Sequence, residues 1–163
     1  MERIHKIILG VLSGLVVIGI IVTVIVAVNR GNSNKFTPPP FDETAVSGTP
    51  VIEDETLGYG ALALKEGFVM MACSSPVVEN GEAVVYFTAD ADNTVWLRLI
   101  ILTEDGEQLG TTGLLKAGEY VRSIKLSRKI EEDTPVVLKF ISYEPDTYYS
   151  QGTVSVNVIL RVQ

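Results

Sequence analysis

The order of apolar and polar residues divides the chain into two parts that follow different patterns. Residues 7–28 form an uncharged apolar run whose only polar side chains are Ser13 and Thr23. A helix rises about 1.5 Å per residue, so the run spans roughly 30 Å, the thickness of the hydrocarbon core of a bilayer. Inside lipid every backbone amide must be bonded within its own segment. The run therefore predicts one transmembrane α-helix, despite its many valines and isoleucines.

From about residue 56 onward, short apolar or alternating segments are separated by turn residues, a pattern typical of β-strands. The clearest predicted strand covers residues 95–103. Alternate residues form its fully apolar face: Val95, Leu97, Leu99 and Ile101. Residues 153–162 alternate in the same way, and only Ile159 breaks the pattern. Because side chains along a strand point to opposite faces in turn, both segments are expected to bury one face.

Turn sequences punctuate these strands. Residues 79–82 and 104–107 are predicted turns, and the Asp-Gly pair in the second accepts the positive backbone angle φ of a tight hairpin. About seven short strands with turns every 8–12 residues are typical of a β-sandwich, and no segment has the pattern of a core helix. The sequence predicts an all-β fold over residues 56–163, a single immunoglobulin-like β-sandwich.

Residues 29–55 separate the apolar run from the predicted β domain. Pro38, Pro39 and Pro40 favour a stiff polyproline II segment, and the remainder is polar without periodicity. We interpret residues 29–55 as a Pro-rich spacer. A proline-rich ligand for a recognition module is the alternative, but the prolines lack the adjacent basic residue that such ligands often carry.

The flanks of the apolar run indicate its orientation. Signal peptides have apolar cores of about 7–15 residues, so the longer run here favours a retained signal-anchor. Cleavage after Ala27 would place Ile25 where a small residue is preferred. We expect residues 1–6 to be a cytoplasmic tail and the C-terminal domain to be extracellular, in a single-pass protein of the cell membrane. A secreted protein, released by cleavage, is the alternative.

Small residues within the apolar run favour contact between helices. Gly10 and Gly14 form a G-x-x-x-G pattern with Ser13 beside them, and small residues four apart let two helices approach closely. The alternative is that glycine is simply common in membrane helices. Self-association of the predicted helix through this face is a hypothesis that we draw from the sequence.

Charge and residue content exclude several functions. The net charge is −7, and the first 30 residues hold three of the basic side chains against Glu2 alone, so the remainder is more acidic still. Such a domain does not bind nucleic acid through general electrostatics. The single histidine, His5, lies in the tail, and Cys73 is the single cysteine. A Ser–His or Cys–His pair and a His-based zinc site are therefore excluded from the domain. We expect no enzyme activity and no cofactor.

The sequence offers one weak candidate metal site. Asp90, Asp92 and Asn93 lie in an acidic loop between two predicted strands. Calcium takes about six to eight oxygen ligands, and this loop supplies about three. A solvated turn is the preferred interpretation, and a calcium site is the alternative.

Aromatic residues mark a candidate binding surface. Tyr148 and Tyr149 lie in a predicted loop, and Trp96 lies on the less apolar face of its strand. Exposed tyrosine and tryptophan side chains commonly anchor protein and sugar contacts. The preferred interpretation is that Tyr148 packs across its hairpin and a neighbouring element covers Trp96. If a binding surface exists, these three residues form it.

Several short motifs lie near the C-terminal end: a Gly-x-Tyr turn, an Ile-x-Leu strand, a Tyr-x-Pro-x-Thr hairpin and an alternating final strand. They fall at Gly118, Tyr120, Ile124, Leu126, Tyr143, Pro145 and Thr147. In these features residues 114–162 resemble small single-pass surface proteins of Gram-positive Firmicutes. The resemblance implies an extracellular immunoglobulin-like module linked to surface or transfer machinery. It implies no catalytic residues.

The expected function is therefore binding or structural. The chain is predicted to be an accessory subunit or exposed component of a bacterial envelope assembly, in contact with the lipid bilayer and with other envelope or surface proteins. One alternative is a secreted adhesin-like binding protein. Another is an apparatus component whose membrane helix is the functional contact.

Overall fold

The computed structural model describes residues 37–65 and 67–162. The predicted tail, the membrane span over residues 7–28 and its Gly10, Ser13 and Gly14 lie outside this part of the chain. Residues from Pro38 onward form a compact unit of their own. The described residues contain no α-helix and are all-β, as predicted, with one 3-10 turn at Glu55–Leu57. No helix within them is long and apolar enough to cross a membrane.

The described residues form ten β-strands, more than the number predicted. These are β1 (Val46–Ser47), β2 (Tyr59–Lys65), β3 (Phe68–Cys73), β4 (Val77–Glu79), β5 (Glu82–Ala89), β6 (Trp96–Thr103), β7 (Gln108–Thr111), β8 (Glu119–Lys125), β9 (Thr134–Tyr143) and β10 (Ser150–Val162). They bond into one sheet in the order β1-β8-β5-β4-β10-β9-β6-β7, while β2 pairs with β3 and β3 with β5. The sheet curls into a half-barrel.

The strand predicted over residues 95–103 is confirmed as β6, with buried and half-buried residues in strict alternation. Its buried apolar side chains are wholly inaccessible to solvent: Leu97, Leu99 and Ile101. They face a core to which strands on both sides of β10 in the strand order contribute. Phe87 of β5 and Phe140 of β9 meet there with ring centroids 5.5 Å apart. Because the sheet curls, one concave face supplies both walls of the core, and burial of this face holds the domain together.

The longest strand, β10, joins two groups of strands into one sheet. It runs antiparallel to β9 along most of its length, and its last residues pair in parallel with β4. Alternation along β10 follows the sequence prediction. Ile159, the residue that breaks the pattern, is 55% exposed.

The curled sheet comes close to closure where β7 meets the end of β8. The Ser127 N–H donates to the Leu109 carbonyl across this junction, at 2.7 Å. Gly110 makes the approach possible because a Cβ there would lie 2.8 Å from both Ile124 Cγ2 and the Lys125 carbonyl oxygen. A side chain at this position would push the two edges apart.

The compact unit starts at Pro38, ahead of the boundary at residue 56 that the sequence predicts. Residues 38–48, which we call the strap, contact two separate parts of the sheet. Phe41 forms a parallel bridge with Leu114, and β1 then pairs antiparallel with the start of β8. Bridges of one or two residues impose no periodicity on the sequence. The pattern of apolar residues therefore does not distinguish the strap from the spacer.

Candidate functional site

Four side chains make successive contacts on the outer face of the sheet at the start of β6. Trp96 lies on the opposite face of β6 from the buried Leu97, as strand alternation requires. Its ring packs edge-on against Phe41 at a centroid distance of 4.7 Å and against Tyr148 at 5.1 Å. The Lys116 ammonium lies 4.7 Å from the centroid of the Phe41 ring. We call Lys116, Phe41, Trp96 and Tyr148 the Trp96 stack.

The hydrogen bonds of the β9–β10 loop fix the position of its tyrosines. The Tyr148 N–H donates to the Glu144 carbonyl at 2.9 Å, and the Glu144 N–H donates to the Tyr149 carbonyl at 2.9 Å. Tyr148 has a φ of 58°, a left-handed conformation that costs a residue with a Cβ roughly 1–3 kcal/mol. The surrounding contacts must offset this strain.

The two tyrosines of this loop have different environments. Tyr148 is half-buried against Trp96, whereas Tyr149 is 71% exposed. The structure thus brings Trp96 and Tyr148 together and leaves Tyr149 projecting beside them. A large, stiff aromatic side chain held in solvent on an ordered loop is available for contact with a partner at low entropic cost.

A cavity of about 540 Å³ adjoins the base of the same loop. Its polar lining includes Thr94, Glu144, Asp146 and Gln151. These side chains provide hydrogen-bond acceptors and donors beside the exposed Tyr149. The end of the domain that carries the tyrosines therefore combines an aromatic surface with a recess lined by both polar and apolar residues.

The Asp90–Asn93 loop has a structural role that the sequence did not indicate. The Asn93 side chain bonds the Val69 backbone twice: Oδ1 accepts from the Val69 N–H at 2.7 Å, and Nδ2 donates to the Val69 carbonyl at 2.7 Å. Asp90 Oδ1 accepts from the Asp92 N–H at 2.9 Å. Asn93 therefore ties its loop to β3. Across residues 37–65 and 67–162, His, Cys, Asp and Glu form no group of three or more able to hold a metal ion.

Cys73 lies in the interior rather than at a surface site. It is fully buried beside Leu57, Val77 and Val84. Burial raises the pKa of its thiol to about 11, so the neutral thiol predominates at neutral pH. Because the thiolate is the reactive form, this residue is a poor nucleophile in the folded protein.

Sequence reasoning identified three members of the aromatic surface and missed two members of the stack. Trp96, Tyr148 and Tyr149 were recognisable as aromatics outside the apolar faces. Phe41 falls within the predicted spacer, and the sequence predicts no contact for Lys116. Only the position of Phe41 directly after Pro38–Pro40 marked it as unusual, and nothing in the sequence linked it to Trp96.

Comparison of the chain with protein-family models, with curated proteins and with solved structures finds no match. The resemblance to surface proteins of Firmicutes stays a prediction from the motifs described above.

Proposed function

We propose that this protein is a membrane-anchored extracellular binding module and that Tyr149, supported by the Trp96 stack, is the centre of its recognition surface. The observation that carries the proposal is the exposure of Tyr149, 71%, on a loop whose neighbouring Tyr148 is held in a strained conformation. Backbone strain of this kind persists only where surrounding contacts over-determine it, and it is enriched at functional sites. Tyrosine is also among the residues that most often dominate binding energy.

The fold supports this role. We propose an immunoglobulin-like sandwich as the finer class, and the all-β half-barrel whose final strand bonds to both groups of strands supports it. In such domains the loops at the ends of the strands commonly carry binding residues on a rigid scaffold. The β9–β10 loop occupies such a position.

The proposed location follows from residues 7–28. Their length and lack of charge fit a retained helix that anchors the domain outside the cell. The partner class that we propose is another protein of a bacterial envelope assembly, to which this chain contributes as an accessory or structural subunit. Self-association through Gly10, Ser13 and Gly14 belongs to the same proposal.

The test compares Tyr149→Ala with Val51→Ala in the full-length protein, purified with crosslinked partners from its own membranes. Val51 is the matched control because its side chain is 85% exposed and distant in sequence from the loop. Loss of a binding hot spot costs about 2 kcal/mol or more, which corresponds to roughly 30-fold in affinity. We expect Tyr149→Ala to lose its partner while both variants keep the parental melting temperature.

Two results would contradict the proposal. Equal recovery of the same partners by Tyr149→Ala and Val51→Ala would remove Tyr149 from the recognition surface. Recovery of the full-length protein in the soluble fraction, without detergent, would refute the membrane anchor separately.

A further inference from the structure

We propose that the strap regulates the tyrosine surface: docking of Phe41 on Trp96 holds Tyr148 and the β9–β10 loop in place, and release of the strap frees them. The inference rests on the proposed recognition surface for its biological meaning. Its physical content, a coupling between two segments that are distant in sequence, depends only on the contacts of the Trp96 stack.

The strap is attached to the sheet by few hydrogen bonds. At its first end the Leu114 N–H donates to the Pro40 carbonyl at 2.8 Å, and the Asp42 N–H donates to the Leu114 carbonyl at 3.0 Å. The Gly113 N–H donates to Asp42 Oδ2 at 2.7 Å. At its second end the two residues of β1 pair with β8, and the Gly48 N–H donates to the Gly118 carbonyl at 2.8 Å. Each net contribution is modest, so the strap can open while the core stays folded.

Gly113 forms the seat of the strap. A Cβ at this position would lie 2.5 Å from the Asp42 nitrogen, 2.6 Å from Asp42 Cα and 2.7 Å from the Phe41 carbonyl carbon. All three are backbone atoms, which cannot move aside as the end of a flexible side chain can. Any residue with a Cβ at position 113 must therefore displace the strap.

Trp96 transmits the position of the strap to the loop. Phe41 and Tyr148 both pack edge-on against its ring. Without Phe41, the Trp96 side chain loses one of its two aromatic contacts and gains rotational freedom. Tyr148 then loses the fixed surface that helps to offset its left-handed backbone conformation. The loop should shift towards unstrained conformations, which changes the presentation of Tyr149.

The direction of coupling follows from chain connectivity. In sequence the strap lies within the predicted spacer and comes directly after residues 29–37, which follow the predicted membrane span. Any force or partner that acts on the spacer reaches Phe41 before it reaches the sheet. The strap is therefore placed to report events near the anchor to the recognition surface.

The single tryptophan makes the coupling measurable, because Trp96 is the only such residue in the chain. We would compare Gly113→Ala with Gly60→Ala in the detergent-solubilised full chain. Gly60 is the matched control, since a Cβ there would meet no atom within 4 Å. One readout is the emission maximum and acrylamide quenching of Trp96. The other is hydrogen exchange at the Glu144 and Tyr148 amides.

We expect Gly113→Ala to shift Trp96 emission to longer wavelength and to accelerate exchange at both loop amides at least tenfold, while Gly60→Ala matches the parent. Phe41→Ala should reproduce both effects, and it decides the question if Gly113→Ala fails to fold. A change in Trp96 emission without faster loop exchange would overturn the coupling, as would unchanged values of both. Neither readout needs a partner, so this result is independent of the Tyr149→Ala experiment.

Discussion

Replacement of Gly110 by alanine tests how the curled sheet closes at its edge. The new Cβ would lie 2.8 Å from the Lys125 carbonyl oxygen and 2.8 Å from Ile124 Cγ2. The first is a backbone atom of β8, and the second belongs to a buried branched side chain. Neither atom can move without moving β8 or the core. The variant must therefore compress these contacts and push β7 away from β8.

Both effects cost stability, and the structure sets their scale. Overpacking in a well-packed core costs about 1–3 kcal/mol. Separation of the edges also removes the hydrogen bond from Ser127 to Leu109, a net loss of about 1 kcal/mol. We expect a total of about 2–4 kcal/mol. For a domain of this size that corresponds to a decrease in melting temperature of roughly 6–16 °C.

The assay is thermal and urea unfolding of the full chain in detergent, followed by circular dichroism and by Trp96 fluorescence. Gly60→Ala serves again as the control, because its Cβ would meet no atom within 4 Å. We expect Gly60→Ala to stay within about 1 kcal/mol of the parent. If the two variants unfold at the same temperature, the close approach of β7 to β8 does not exist in solution and the argument for closure fails.

Two further predictions concern groups away from this edge. Asn93→Ala removes both hydrogen bonds to the Val69 backbone and should lower the free energy of unfolding by about 1–3 kcal/mol, as measured in urea. Asp92→Ala should leave the free energy of unfolding unchanged. Equal effects of the two variants would refute the structural role of Asn93. Because the pKa of the Cys73 thiol is raised to about 11, its stabilising contribution is complete below about pH 8.5 and is lost as the pH rises through 11. Iodoacetamide at pH 8 should label Cys73 slowly in the native protein and rapidly in urea, as followed by mass spectrometry, and equal rates would contradict its burial.

The sequence predicted the regular strands because their periodicity reflects burial directly. The buried positions of β6 follow from every second residue being apolar, and the exposed Ile159 follows from its place outside that pattern. Alternation reports which face is covered. It does not report which strand lies beside which, so the parallel pairing of β10 with β4 could not be predicted.

The candidate site was only partly predictable for a related reason. Exposed tyrosines are recognisable one residue at a time, because a loop gives an aromatic side chain little reason to be present. The contact between Phe41 and Trp96 instead joins residues that are far apart in the sequence. This contact depends on the absence of a side chain at Gly113. In a sequence rich in turns, a glycine has many possible roles, so Gly113 alone does not indicate the contact. Long-range steric fit of this kind has no local pattern.

The place of β10 in the strand order has a consequence for how the protein is made. β10 is synthesised after the other nine strands, yet it lies between β4 and β9 in the sheet. Ribosomes synthesise the chain from its N-terminus at about 5–20 residues per second. The two groups of strands are therefore made before β10, the strand that connects them. The sheet therefore cannot be completed until β10 has left the ribosome. Any cellular factor that guards nascent chains would encounter nearly the whole domain before its core can form.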